Sequence, residues 1–161
     1  MPKRAKEMDF DMKIKTPVHY AAKLAVDVVF YAGIAAMFFI PAAAKFIRVT
    51  MGYAPSAVVP IAATLTLSGT CAIYILLNLK LMFRSLLDGD PFTEENVNHF
   101  RKMAAASFLI ALIYTIKCVW FPSLMTGVLI FTFLIASLFC LTLKDLFKQA
   151  VAYKEENDLT V

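Results

Sequence analysis

The chain has 161 residues, a single-domain length, yet 60% of them are hydrophobic and only 17% are charged, against roughly 25% in an ordinary globular domain. A soluble domain of this size has too little interior to hide so much apolar surface, and a disordered chain lacks apolar residues, so neither class fits. The formal charge is +4, and the three cysteines, Cys71, Cys118 and Cys140, lie singly in apolar stretches, which argues against a disulfide framework or a zinc site. An integral membrane protein remains.

Four apolar stretches follow one another, at residues 24–44, 58–79, 104–121 and 124–143. Each matches or approaches the roughly 20 helical residues that cross a hydrocarbon core of about 30 Å. In lipid a crossing must satisfy its own backbone hydrogen bonds, and the apolar/polar alternation of a β-barrel is absent, so the expected class is all-α with four transmembrane helices. The N-terminal segment, 1–23, is basic. Ala42-x-Ala44 resembles the cleavage site of a secretory signal, but a basic region of over twenty residues and Asp27 within the apolar part favour a retained anchor.

Asp27 is the one acid within a span, and an intramembrane carboxylate is a functional-site candidate with a partner to be named. Lys23, four residues earlier on the same helical face, is the expected partner, with anchoring as the first reading and ion or proton handling as the second. The second span holds Thr64, Thr66, Ser68, Gly69, Thr70 and Cys71, with Ala62, Thr66, Gly69 and Ile73 on one stripe. That pattern fits a packing seam, with Ala32 and Ala36 of the first span as its match and hydroxyls bonding across the contact, or a pore lining.

The central loop, 80–103, reads as a helical hairpin. Asp88-Gly89 stops one helix, Asp90-Pro91-Phe92 turns the chain, and Thr93 caps the next, with Glu94 and Glu95 in its first turn. An EF-hand fails because its sixth position is Thr93 rather than glycine. The paired glutamates of intramembrane glutamic proteases are only partly matched, since Arg101 is misplaced and the spans hold no histidine. Glu95 and His99 are spaced as a surface pair. Across the membrane, Pro122 and Ser123 turn the last pair of spans, Tyr53, Trp120 and Phe121 mark an aromatic boundary, and Lys117 is expected to snorkel to headgroups. Beyond the last span, residues 144–161 continue as a helical tail in which Leu143, Leu146, Phe147, Ala150 and Val151 form an apolar stripe. That stripe either packs on the hairpin or seats a partner.

Thirteen of the 16 Lys and Arg residues fall in the N-terminal segment, the central loop and the tail. The positive-inside rule therefore places both termini and the hairpin in the cytoplasm. Eleven of the 12 acids share that side, leaving it nearly neutral, which argues against direct nucleic-acid binding.

Two segments carry a resemblance: Asp88-Gly89-Asp90-Pro91-Phe92 followed by Glu95-Asn96, and the ending Lys154-Glu155-Glu156-Asn157-Asp158-Leu159-Thr160-Val161. With four spans in this length, the chain from Lys23 onward resembles the bacterial YoaS-like membrane family (domain of unknown function 2975). The family has no established activity, and its genes commonly sit beside one for a small Cro/CI-type helix-turn-helix regulator. That association is what the resemblance implies; with the acidic tail and the nearly neutral cytoplasmic face, the expectation is a non-enzymatic bacterial inner-membrane protein, without cofactor or metal, that binds such a regulator at its cytoplasmic face. Asp90, Pro91, Phe92 and Asn96 would set the loop geometry, and Glu155, Glu156, Asp158 and Leu159 would make contact. The alternative is a small transporter or toxin-protection protein using Asp27 and the polar second span. Lipid is the remaining expected partner, and a homo-oligomer is compatible with the sequence.

Overall fold

The computed structural model describes residues 17–87 and 91–159, with side chains for 20–87 and 91–156. In chain order these form helix α1 (Pro17–Phe38), α2 (Ile40–Thr50), a 3-10 turn (Pro55–Ala57), α3 (Val58–Leu87), α4 (Glu94–Trp120) and α5 (Leu124–Leu159). Among the described residues four stretches are long and apolar enough to cross a membrane: Tyr20–Phe38, Pro55–Leu87, Glu94–Trp120 and Leu124–Glu156.

The first apolar run is two helices rather than one. The α-helix breaks at Phe39, directly before Ile40 and Pro41 open α2. Proline has no N–H to give the preceding turn, so a helix tends to break or kink there. The expected crossing at 24–44 therefore runs over this break, and the long apolar helix ends at Phe38. α2 closes on a Schellman turn: Tyr53 N–H bonds Arg48 C=O at 3.0 Å and Gly52 N–H bonds Val49 C=O at 3.3 Å. Gly52 sits at φ +68°, where a side chain would be strained.

The helices pack in sequence order. α4 lies between α3 and α5, while among the described residues α1 packs extensively only on α3. α4 is accordingly the core helix, with Ala104, Ile110 and Ala111 nearly inaccessible. Small residues allow this closeness. Ala104 and Met103 meet Cys140 in a cluster bordered by Ile75, Leu79 and Met82, and the Ser137 hydroxyl donates to Ala104 C=O across the α4–α5 contact at 2.9 Å. At the opposite end, Ala44, Ala57 and Ile61 form a second cluster beneath Tyr53 and Phe121, whose rings are 5.0 Å apart. The outward faces remain apolar. Leu124, Phe38 and Val119 are each about four-fifths exposed or more. In water such a surface would be unfavourable at about 25 cal/mol per Å², whereas in lipid it meets solvent of its own kind.

The α1–α3 seam uses Gly69 and Ile73 of α3, as expected, but a different face of α1. Ala32 and Ala36 point outward, and Gly33 and Met37, one residue on, face α3. A Cβ on Gly33 would lie 3.7 Å from Leu76, and one on Gly69 would meet the Met37 sulfur at 2.8 Å. The hydroxyls of α3 bond mostly within their own helix. Thr64, Thr66, Ser68 and Thr70 each donate to the carbonyl four residues back, at 2.8–2.9 Å. Ser68 alone of these also reaches another helix, 3.4 Å from the Tyr114 hydroxyl.

Helix length separates the two ends of the molecule. At about 1.5 Å per residue, the 36 residues of α5 extend roughly 54 Å, well beyond a hydrocarbon core of about 30 Å. The excess lies at the end that also holds the α3–α4 connection and the start of α1, as the contacts of Phe147 and Asp27 establish.

Candidate functional site

Three polar arrangements gather at this tail end. In the first, Asp27 lies on the inward stripe of α1 with Val26, Phe30 and Gly33. Its carboxylate meets Lys80 of α3, Nζ to Oδ1 at 3.0 Å, and not Lys23 as the sequence spacing implied. Lys80 also donates to the Tyr31 hydroxyl at 3.3 Å and lies 4.8 and 5.2 Å from the ring centroids of Tyr31 and Phe30. Both charged side chains are only about one-quarter exposed (29% and 26%), so each compensates the other where water is scarce. The same-helix spacing of Lys23 was visible in sequence, whereas the pairing with Lys80 depends on how α1 docks on α3.

The second arrangement joins α3 to α4. His99 meets Glu95 as its spacing implied, but only the glutamate is exposed; the ring is buried, with 5% of its surface exposed. Its Nδ1 lies 2.8 Å from Asn78 Oδ1, and Asn78 Nδ2 donates to Tyr74 C=O at 2.7 Å. That orientation makes Nδ1 the donor and leaves Nε2 facing Glu95 at 3.7 Å. Asn78 escaped the sequence reading, although an amide near the end of an apolar run was its signal. Asn78→Ala leaves the His99 N–H without its partner. The expected loss is about 1–2 kcal/mol of stability, measured by unfolding of the detergent-solubilised chain; an unchanged midpoint would show that the bond contributes nothing net.

The third arrangement is the hairpin and tail. Thr93 caps α4, its hydroxyl accepting from Asn96 N–H at 3.3 Å, as its place before two glutamates implied. Asn96 is almost wholly buried, and its amide donates to Pro91 C=O at 2.7 Å and to Ser85 Oγ at 3.0 Å, tying the turn to both helices. Phe147 of α5 completes the joint, its ring 5.6 Å from Phe92 and 4.8 Å from Phe100. Val151, one turn on, is buried as well. Part of the tail's apolar stripe is therefore already occupied by the hairpin, while Leu146 stays exposed.

The structure thus brings Pro91, Phe92 and Asn96 together, and Asp90 lies outside the described residues. Glu155 and Glu156 are exposed on the last turns of α5. At the helical rise of about 1.5 Å per residue, Glu155 lies roughly 12 Å beyond Phe147. Asp158 and Leu159 continue that helix, and their side chains are outside the description. Between α4 and α5 runs a polar cleft of about 460 Å³, lined by Glu94, Val97, Asn98, Arg101, Lys144, Asp145 and Lys148. Among the described residues no three His, Cys, Asp or Glu side chains converge as a metal site.

A row of long apolar helices with lipid-compatible faces and charges concentrated at one end defines a multi-pass α-helical membrane protein. The chain belongs to the DUF2975 family, whose description is a protein of unknown function and whose family model matches residues 42–161. The match begins within α2, so α1 and the Asp27 half of the ion pair precede it, and it starts later than the Lys23 expected from sequence. No curated protein and no solved structure matches the chain significantly.

Proposed function

We propose that this DUF2975 protein is a non-enzymatic docking protein of the bacterial inner membrane, with both termini and the α3–α4 turn in the cytoplasm. There it holds a small helix-turn-helix transcription regulator. The orientation rests on the concentration of Lys and Arg at the tail end and on an even number of crossings. The observation that carries the docking role is the polar cleft between α4 and α5, where Arg101, Lys144 and Lys148 stand beside Glu94 and Asp145. A cleft with both signs of charge, fixed by the Phe92–Phe100–Phe147 joint, offers a partner complementary pairs and a set register. The acidic last turns of α5 extend the surface toward a partner with a basic, DNA-binding face. The Asp27–Lys80 pair favours a clamp between helices over ion handling.

The test is co-purification of the regulator encoded beside the gene with the detergent-solubilised protein. Deleting residues 155–161, or combining Arg101→Glu with Lys148→Glu, should lower recovery at least about tenfold, the scale of losing one to two charge pairs. Recovery unchanged in both variants would refute the docking surface.

A further inference from the structure

The end of the molecule away from the tail carries a groove that the docking role does not use. It lies between the start of α3 and the end of α4 and has a volume of about 640 Å³. Its walls include Ala63, Leu67, Ile113 and Ile116, with Trp120 at its rim. Leu67, Ile116 and Trp120 are all more than half exposed, so the groove faces sideways, toward the surroundings of the helices rather than into their core.

One cation breaks this apolar lining. Lys117 borders both the groove and a smaller neighbouring cavity of about 160 Å³ that reaches Tyr114 and Thr126. The sequence implied an outward, snorkelling lysine. Instead its ammonium turns toward α5, 3.4 Å from Thr126 Oγ1 and 5.7 Å from the Tyr114 ring centroid. A hydroxyl and a ring do not neutralise a charge. Lys45 and Arg48 of α2 belong to the same end, and among the described residues no Asp or Glu does. The groove therefore presents aliphatic walls of acyl-chain character, an aromatic rim at headgroup depth and an uncompensated cation.

We propose that this groove seats one anionic phospholipid. An acyl chain lies along Leu67, Ile113 and Ile116, and the phosphate accepts from Lys117 once its flexible side chain turns from Thr126 toward the groove it borders. Charge complementarity selects the anionic headgroup, and the sideways opening selects a bilayer lipid over a soluble ligand.

The experiment is native mass spectrometry of the full chain in detergent, titrated with phosphatidylglycerol or with phosphatidylcholine of the same acyl chains, and separately with inorganic phosphate. One phosphatidylglycerol should bind in preference to phosphatidylcholine. Lys117→Gln should reduce that preference about fivefold, the contribution of one cation near an anionic headgroup, and Lys117→Arg should keep it. Ala63→Phe, on an exposed wall position, should lower occupancy by both lipids with Lys117 intact, while the helical circular dichroism is unchanged. Equal retention of the two lipids by the unaltered chain, an undiminished preference in Lys117→Gln, or saturation by phosphate alone would overturn the proposal. Regulator recovery reports on the opposite end and is expected to be unaffected by these variants.

Discussion

Lys80→Met lowers the unfolding midpoint of the solubilised chain, because it removes the charge opposite Asp27 and leaves a carboxylate largely shielded from water. The loss is smaller than that of a fully buried pair, since both side chains keep about a quarter of their surface exposed (29% and 26%). Lys80→Met combined with Asp27→Asn removes both charges and regains most of the loss, because the neutral amide has no charge to desolvate. The measurement is a double-mutant cycle on unfolding. Additive losses in the double variant would show that the two residues do not act as a pair. The effect has a structural reading as well. α1 makes its main contact with α3, so the Asp27–Lys80 pair and the Gly69–Met37 approach are what fix it there.

Phe147→Ala is the second large effect. The substitution removes two aromatic contacts, at 4.8 and 5.6 Å, each worth about 0.5–1.5 kcal/mol beyond area burial, together with the burial of the ring itself. The total is about 2–4 kcal/mol. It falls mainly on the tail, because α5 beyond the apolar span has no lipid to support it. Hydrogen exchange should accelerate through residues 145–159 while α4 from Met103 to Ile113 stays protected. Unchanged protection of the tail would show that Phe147 does not hold it. If the docking role is correct, the same variant also loses the regulator, because the cleft is walled on one side by α5.

The sequence carried the membrane architecture because its signal is thermodynamic and local. A helical run of about 20 apolar residues has one favourable environment whatever its neighbours do. The cap at Thr93 was equally legible, since a capping hydroxyl needs only the residues just after it. Pro41 was in plain view, yet hydropathy alone ran the first span through it to Ala44. Proline acts on the backbone ladder, to which a hydropathy window is blind.

Partners across helices were beyond the sequence. Lys23 and Lys80 were both available to Asp27, and only the rotation of α1 on α3 selects Lys80. The same rotation puts Gly33 and Met37 in the seam in place of Ala32 and Ala36. His99 and Asn78 lie 21 residues apart and meet only because α3 and α4 run antiparallel at close range. The inward turn of Lys117 depends on where α5 places Thr126. Composition and periodicity thus determined that four long helices form and what solvent they require, because those energies add residue by residue along one chain. Tertiary packing decided which polar groups find each other, because that depends on helix rotation and register, which several similar small-residue faces leave open until the helices dock.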